Sequence, residues 1–331
     1  MSAREDRDVA PPPTATLVGD AKLIQLASRL RALHEGDVAV VEAIAIGAPA
    51  IPVLRMILFE RDFAGIFEPR RRAVQALAVL KATNVLKEFV GGWKPASDPV
   101  ERFGDEAVLG AAAKALGATL DDEAYPMLVA LARRYPVSGV IEALGYYKRT
   151  ESIPILVAAL ADDFSRPPAE QAFRAFGQAA IPALIEAASR SVANSSGRES
   201  PSSIRRRRSA LRLILEFGPT RELWERLRDL VEDPDNEIAV LACRIGLVAT
   251  DVAEGRGCAF RLVALLPRVA WPLSQEIEDC LRDNFALTCE FVDRALCGSI
   301  DSSATDIERA RFKRSLRRVK ASGSARLNAR D

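Results

Sequence analysis

The stretch Ile46–Leu54 reads IGAPAIPVL, and the stretch Phe176–Leu184 reads FGQAAIPAL. The two segments match almost position for position, although they start 130 residues apart. Each has a glycine, a turn of small residues, an isoleucine followed by proline, and a leucine two residues later. Self-similarity of this kind is the sequence signature of a repeat architecture. It predicts that the chain is built from copies of one supersecondary unit.

Gly47 and Gly177 stand where one helix is predicted to end. A glycine just past a helix end adopts the left-handed conformation without steric cost. Pro52 and Pro182 follow five residues later. Proline is tolerated in the first turn of a helix, because its missing N–H has no intrahelical partner there. The order glycine, short turn, proline therefore predicts a helix end followed directly by a helix start.

Further copies join an Ala-Leu-Gly or Ala-Phe-Gly ending to a beginning of the form apolar-Pro-x-Leu. The glycines of these endings, Gly117, Gly145 and Gly177, follow one another at steps of 28 and 32 residues. This spacing indicates a series of helix pairs, in each of which the Ala-Leu-Gly ending closes the first helix. The beginnings that follow are Tyr125–Leu128, Ile153–Leu156 and Ile181–Leu184.

Apolar residues within these segments recur at i, i+3, i+4 and i+7, which is typical of amphipathic helices. Hydrophobic residues make up 49% of the chain but aromatic residues only 6%, which favours closely stacked helices over a sheet sandwich. One helix pair cannot bury both of its faces, whereas stacked pairs share a continuous core. We therefore predict an all-α fold, a right-handed α-solenoid of about eight antiparallel helix pairs.

The predicted solenoid spans residues 17–300 and contains a flexible loop at about 190–203. Serine, asparagine and glycine dominate that loop, a composition typical of exposed connections. Residues 1–16 are predicted to form a disordered tail, and residues 301–331 a basic C-terminal helix and tail. Sparse apolar positions within 305–320 indicate an amphipathic helix that lies on a membrane, enters a partner's groove or caps the last helix pair.

The pattern Ile-Gly-x-x-Ala-Ile-Pro-x-Leu resembles bacterial HEAT repeats, particularly the short form named for phycobilisome lyases. The resemblance covers roughly Leu17–Gly298 and is strongest over Ile44–Ala188. It implies a curved solenoid that scaffolds or binds proteins, and we expect a bacterial adaptor without enzymatic activity. Tetratricopeptide repeats are less similar, because their Trp…Leu-Gly…Tyr pattern is absent from this sequence.

Side chains suited to catalysis are scarce. His34 is the only histidine, which rules out the Ser-His-Asp and Cys-His arrangements at any other position. A single histidine also cannot build the several His-Glu pairs of the HEAT-like deoxyhypusine hydroxylase. We predict no catalytic residue, no metal and no cofactor. A lyase of the phycobilisome-lyase type and a HEAT-like DNA glycosylase are the less favoured enzymatic alternatives.

The five cysteines all lie in the last third of the chain and form no Cys-x-x-Cys motif. We expect them to be reduced thiols packed as small apolar side chains. The N-terminus has no apolar leader, and no apolar run approaches the ~20 residues that cross a bilayer. The sequence therefore predicts a cytoplasmic protein without a transmembrane segment.

Charge is balanced, with 46 lysines and arginines against 45 acidic residues, and this balance requires neither nucleic acid nor membrane as a partner. Two arginine runs nevertheless stand out, because guanidinium groups bind carboxylates and phosphates. A protein partner is the favoured reading, and nucleic acid is the alternative, which would bind less tightly as salt rises. The predicted partner-binding residues are Arg70, Arg71, Arg72, Arg205, Arg206, Arg207 and Arg208.

Two serines follow basic residues and are candidates for modification. Ser209 comes directly after the longer arginine run and resembles a site for a basophilic kinase, and Ser315 lies in the basic C-terminal segment. The sequence leaves open whether either serine is modified.

Overall fold

The computed structural model describes residues 13–61, 65–298 and 305–328. The all-α, solenoid-like fold class is confirmed, since the described residues form helices joined by short connections. The one β-type contact in this part of the chain is an isolated bridge between Ala193 and Glu199. The chain divides into two compact units, residues 1–152 and 153–331.

The first unit arranges its helices in two rows. In one row α2, α4, α6 and α8 contact each other in that order, and in the other row α1, α3, α5 and α7 do so. Helices that follow one another in the chain also pack across the rows, as α3 does on α4 and α5 on α6. Each inner helix therefore packs against the helix before it and the helix after it in its own row. The helices are α1 (Pro13–Arg31), α2 (Gly36–Ile46), α3 (Ile51–Phe59), α4 (Glu68–Val79), α5 (Thr83–Gly92), α6 (Pro99–Thr119), α7 (Ala124–Arg134) and α8 (Ser138–Tyr147).

The second unit repeats the arrangement. A row of α10, α12, α14, α16 and α18 is continuous, and α9, α11, α13, α15 and α17 alternate with it. The C-terminal helix α18 packs on both α16 and α17. It therefore covers the last helix pair, which is one of the three placements predicted for it. The helices are α9 (Ile153–Ala159), α10 (Arg166–Phe176), α11 (Ile181–Ser189), α12 (Pro201–Glu216), α13 (Arg221–Leu227), α14 (Asn236–Ala249), α15 (Val252–Leu265), α16 (Trp271–Asp283), α17 (Phe285–Cys297) and α18 (Asp306–Asn328).

The predicted tails fall partly outside the described residues. This holds for residues 1–12, 301–304 and 329–331, while α1 already begins at Pro13 and α18 at Asp306. The handedness of the stack and the total of about eight pairs stay predictions.

The repeated leucines form the core. Leu54, Leu128, Leu156 and Leu184, the last positions of the apolar-Pro-x-Leu beginnings, are all completely buried. The prolines of these beginnings lie in the first turns of α3, α7, α9 and α11. The predicted helix starts are therefore confirmed, and they place one leucine per repeat at the same depth.

Two of the predicted glycine turns are confirmed. Gly47 ends α2 with a φ of +78°, and Gly177 ends α10 with a φ of +60°. The Ala-Leu-Gly endings at Gly117 and Gly145 were assigned the same role, and this was wrong. The helices run on past both glycines, to Thr119 and Tyr147, and end at left-handed non-glycine residues.

Gly117 instead allows two helices to approach closely. A methyl group at Gly117 would lie 2.8 Å from Cα of Ala143, which is closer than real Cβ contacts come. Farther along the same interface, a methyl group at Gly139 would lie 2.4 Å from Cα of Gly110. The small residues of α6 and α8 are therefore packing residues, and they explain why these two helices touch along much of their length.

Candidate functional site

The shorter arginine run is divided between the interior and the surface of the first unit. Arg70 and Arg72 are buried, whereas the side chain of Arg71 is half exposed and pairs with Glu68 at 2.8 Å. Buried charged groups persist only where they are paired and hydrogen-bonded. Arg70 and Arg72 are therefore expected to form ion pairs and hydrogen bonds within the chain.

Arg70 donates through Nε to the carbonyl of Leu58, at the end of α3, over 3.0 Å, and it pairs with Asp105 of α6. Arg72 donates to the carbonyls of Leu30 and Ala32, at the end of α1. Carbonyls at a helix end have no intrahelical partner, and a cation there also interacts favourably with the helix dipole. Both arginines thus close the end of a preceding helix.

The longer arginine run also contains a buried arginine that closes the end of a preceding helix. Arg207 donates through Nε to the carbonyl of Ala188, at the end of α11, over 2.8 Å, and its other nitrogens pair with Glu199 and Asp233. Its geometry repeats that of Arg70, which also joins a helix-end carbonyl to an aspartate near the next helix in the row. Arg207 is 3% exposed, so its side chain presents no free surface to a partner.

The remaining members of the run lie nearer to solvent. Arg208 pairs with Asp235, which caps the start of α14, and with Glu237 of α14, both at 2.6 Å. Arg205 donates to the carbonyl of Ala161 at 2.9 Å. Arg206 donates to the carbonyl of Arg190 at 2.6 Å, and partial burial lowers its pKa without removing its charge at neutral pH.

Arg205, Arg206, Arg166 and Arg190 line one edge of the second unit, which we call the basic edge. Asp163 joins two of them, at 3.0 Å from Arg166 and 3.8 Å from Arg205. Phe164 follows Asp163 and is 84% exposed. Asp162 fixes the turn that carries this ring by accepting hydrogen bonds from the backbone of residues 164 and 165. The edge therefore presents guanidinium groups, and the turn that carries Asp163 also carries an exposed aromatic ring.

The segment predicted as a loop at about 190–203 is shorter in the structure. The helix after it begins at Pro201, where Ser200 caps it by accepting from the N–H of Ser203. Within the segment, Asn194 accepts hydrogen bonds from the backbone of residues 196 and 198. Local side-chain to backbone bonds of this kind shape a tight turn.

A second surface lies in the first unit and was not predicted from the sequence. Ile66, Val100 and Phe103 are exposed apolar side chains, and Phe103 is 71% exposed. Phe67 contacts Phe103 edge to face with ring centroids 6.2 Å apart. The backbone of Gly65 lies close enough to Val100 that an added methyl would meet it at 2.7 Å. These contacts join the segment around Gly65 and Phe67 to the start of α6. We call Ile66, Phe67, Val100 and Phe103 the apolar patch.

The helix capping of α6 positions this patch. Asp98 accepts hydrogen bonds from the N–H groups of Val100 and Glu101, which sets the helix start. Val100 and Phe103 are three residues apart and therefore share a face of α6. A signal was present in the sequence, because Val100 and Phe103 break the polar run that normally covers an exposed first turn.

The residues considered for chemistry are scattered. His34 is exposed, and no group of three or more histidine, cysteine or acidic residues within the described ranges has a metal-binding arrangement. Cys243 and Cys258 are buried. The hydrogen bond between their sulfur atoms and their burial raise the pKa of the Cys243 thiol, and burial raises the pKa of Cys280 to about 11.

Both candidate modification sites are buried. Ser209 and Ser315 lie within α12 and α18 and are almost inaccessible to solvent. A kinase binds its substrate in an extended segment, so neither serine is presented for modification in the folded chain.

The similarity of this chain to known proteins is confined to solved structures. No family model and no curated protein matches this chain. Among solved structures, the chain is similar to the complex of CpcE and CpcF of phycocyanin lyase from Nostoc sp. PCC7120. That similarity covers 88% of this chain and 100% of the other, with 17% identity and a TM-score of 0.35. A likeness this weak assigns no activity to this chain.

The prediction that the chain is not an enzyme is corrected by this finding. It rested on the scarcity of side chains suited to catalysis, above all on the single histidine, whereas the matched structure is a lyase complex. Fold alone does not fix function. A separate prediction concerned membranes, and within the described part of the chain no helix has the length and apolarity needed to cross one.

Proposed function

We propose that this chain binds a protein partner through the apolar patch of its first unit. The observation that carries the proposal is that Ile66, Val100 and Phe103 are large apolar side chains, each more than half exposed, on two segments that contact each other through Phe67–Phe103 and Gly65–Val100. Exposed apolar side chains scattered singly are normal, whereas contiguous ones rimmed by polar residues mark interaction sites. Aromatic residues are enriched at the centres of protein interfaces.

Charged residues at the rim support the same proposal. Arg71 follows Phe67 by one helical turn and is half exposed in its pair with Glu68. Rim charges of this kind steer association and fix orientation more than they add affinity. Arg71 is therefore the member of the shorter arginine run that we propose as a partner contact.

A photo-crosslinking experiment tests the proposal. A photoreactive phenylalanine analogue is placed at position 103 of the full chain, and crosslinked proteins from the native cell extract are identified by mass spectrometry. Val79, at the exposed end of α4, is the matched control position, because it is similarly exposed but lies outside the patch. We expect one protein to be crosslinked at 103 and not at 79, and to be lost when Ile66 and Val100 are replaced by serine. The same set of products at both positions would refute the proposal.

We also propose the basic edge of the second unit as a protein-binding surface of its own, through Phe164, Arg205 and Arg206. Nucleic acid is the alternative occupant of the edge. A fluorescently labelled oligonucleotide distinguishes the two, because affinity for phosphates falls steeply between 50 and 200 mM salt, by roughly 10³ or more for six or more phosphate contacts. Salt-sensitive binding that Arg205→Ala and Arg206→Ala abolish would favour nucleic acid.

A lyase of the phycobilisome-lyase type is the second candidate function. The Ile-Gly-x-x-Ala-Ile-Pro-x-Leu pattern supports it, because this pattern resembles the repeats named for those enzymes. Its test is to incubate the chain, alone and with candidate partner subunits, with a bilin and an apo-phycobiliprotein. Covalent bilin attachment is measured by the absorbance of the denatured product. Attachment that depends on the chain would support the lyase function. Attachment no faster than without the chain would count against it.

A further inference from the structure

The C-terminal helix α18 has a buried side and an exposed side with different chemistry. Phe312, Leu316 and Val319 are buried, and Gly323 lies so close to Phe285 of α17 that an added methyl would meet the ring at 2.3 Å. Phe312, Leu316 and Val319 are thus already used in packing on α16 and α17. None of these three side chains remains free to insert into a lipid bilayer.

Arg311, Arg314 and Arg317 lie on the opposite side of α18, and all three are exposed. Each residue advances about 100° around a helix, so positions three apart share a face and step about 4.5 Å along the axis. None of the three forms an ion pair with any described side chain. By contrast, Arg318 and Lys320, on the same helix, pair with Glu278 and Asp293.

The row to which α18 belongs shows what such arginines normally contact. Every neighbouring pair of helices in this row is joined by an arginine and a glutamate. The pairs are Arg174–Glu216 between α10 and α12, Arg208–Glu237 between α12 and α14, Arg244–Glu276 between α14 and α16, and Arg318–Glu278 between α16 and α18.

The outward face of α18 lies where the next helix of the row would pack, and the described chain supplies no such helix. We propose that this face is a docking edge for an acidic helix of a partner protein. Glutamates three or four residues apart on a helix are spaced like the three arginines, and guanidinium groups bind carboxylates in a fixed geometry. The proposal concerns another surface than the apolar patch and holds whether or not that patch binds a partner.

A second copy of this chain is a poor occupant. If two α18 helices met through this face in a two-fold dimer, each would place Arg311, Arg314 and Arg317 against the same residues of the other. Like charges placed together across an interface are repulsive, which disfavours this arrangement. An acidic helix of a different protein has the complementary charge.

Binding of a synthetic peptide to the full chain tests the proposal. The probe is a labelled alanine-rich helical peptide with glutamates three and four residues apart, and its binding is followed by fluorescence anisotropy. A second peptide of the same composition carries a central proline, which breaks the helix. We expect the helical peptide to bind more tightly than the broken one. The combined variant Arg311→Glu, Arg314→Glu and Arg317→Glu should weaken its binding about tenfold or more.

The control variant reverses the same number of charges elsewhere. Lys22, Lys94 and Arg133 are exposed residues of the first unit without an ion pair to a described side chain, and changing all three to glutamate should leave peptide binding within about twofold of the original. Circular dichroism and the Tm of both variants confirm that α18 stays packed. Equal losses in the two variants, or equal binding of the broken peptide, would overturn the proposal. So would binding of duplex DNA or phosphatidylserine vesicles that depends on the three arginines while the peptide does not bind.

Discussion

The guanidinium of Arg207 pairs with the carboxylate of Asp233 in the interior of the second unit, where the two side chains are 3% and 7% exposed. The same guanidinium donates to the carbonyl of Ala188 and pairs with Glu199 at 2.7 Å. One side chain therefore ties together the end of α11, the segment after it and the approach to α14. Because the guanidinium donates to all three of these acceptors, its removal leaves each of them short of one hydrogen bond in a poorly solvated site.

Replacement of Arg207 by alanine is expected to lower the free energy of unfolding by about 3–5 kcal/mol, the usual cost of removing one partner from a buried ion pair. Asp233 and Glu199 would then be acidic groups held near each other without a counter-charge. Urea unfolding followed by circular dichroism measures the change. Arg212→Ala is the control on the same helix, and because its side chain is 49% exposed, it should cost less than about 1 kcal/mol. Similar losses in both variants would contradict this role of Arg207.

The arginine run shows where the sequence was informative and where it was not. Four consecutive helical residues span about 300° of the helix circumference, so Arg205–Arg208 cannot all face solvent. The prediction treated the run as one surface because it extended the flexible loop to about residue 203, directly before the arginines, whereas α12 begins at Pro201. Which member faces inward depends on Asp233 and Ala188, and their proximity is a property of the packed helices.

Close packing of α6 on α8 gives the next prediction. A methyl group at Gly139 would meet the backbone of Gly110 at 2.4 Å, so Gly139→Ala forces the two helices apart and should destabilise the chain by about 1–3 kcal/mol. Gly257 is the matched control, since it lies within α15 with nothing within 4 Å of an added methyl. Gly257→Ala should stabilise by about 0.5–1 kcal/mol through helix propensity. Thermal unfolding of the two variants should therefore shift in opposite directions, and a shift in the same direction would be inconsistent with this packing.

The repeat itself was predictable, but the role of each glycine was not. Leu54 and Leu184 are buried as their repeated position requires, because helical periodicity alone places them on one face. Gly47 and Gly117 are both glycines but have different roles. Gly47 lies in a left-handed turn, and Gly117 lies at a contact between two helices. The sequence motif does not separate these tasks, since a glycine permits both.

The apolar patch should be dispensable for folding. Phe103 is mostly exposed, so Phe103→Ser removes little buried area and should change the free energy of unfolding by less than about 0.5 kcal/mol. Binding of a hydrophobic dye such as ANS to the folded chain should fall, because the largest exposed apolar ring of the patch is gone. Phe173→Ser is the contrasting variant, because that ring is completely buried and its loss should cost about 3 kcal/mol or more. Loss of stability in Phe103→Ser comparable to that in Phe173→Ser would place Phe103 in the core and remove the basis of the proposed function.

Titration of one tyrosine should be shifted to high pH. The phenol of Tyr146 donates to a carboxylate oxygen of Glu142 over 2.7 Å, and this bond raises the pKa of Tyr146 to about 12. A pKa raised in the folded chain contributes stability that is present below pH 10 and is lost as the pH rises toward 12. The difference in absorbance near 295 nm between the original chain and Tyr146→Phe isolates this group. Glu142→Gln should move the midpoint down toward the ordinary value, and an unchanged midpoint would show that the hydrogen bond is not its cause.

The cysteines should divide into classes of different reactivity. The thiolate is the reactive form of cysteine, so burial and a raised pKa both slow its attack on a disulfide reagent such as DTNB. Cys243, Cys258 and Cys280 should react slowly in the folded chain, because the first two are buried and burial raises the pKa of Cys280 to about 11. Cys297 is exposed and should account for the fastest phase, which Cys297→Ser should abolish. Unfolding in guanidinium should make all five thiols react. Fast reaction of Cys243 and Cys258 in the folded chain would mean that α14 and α15 do not pack with their sulfur atoms shielded from solvent.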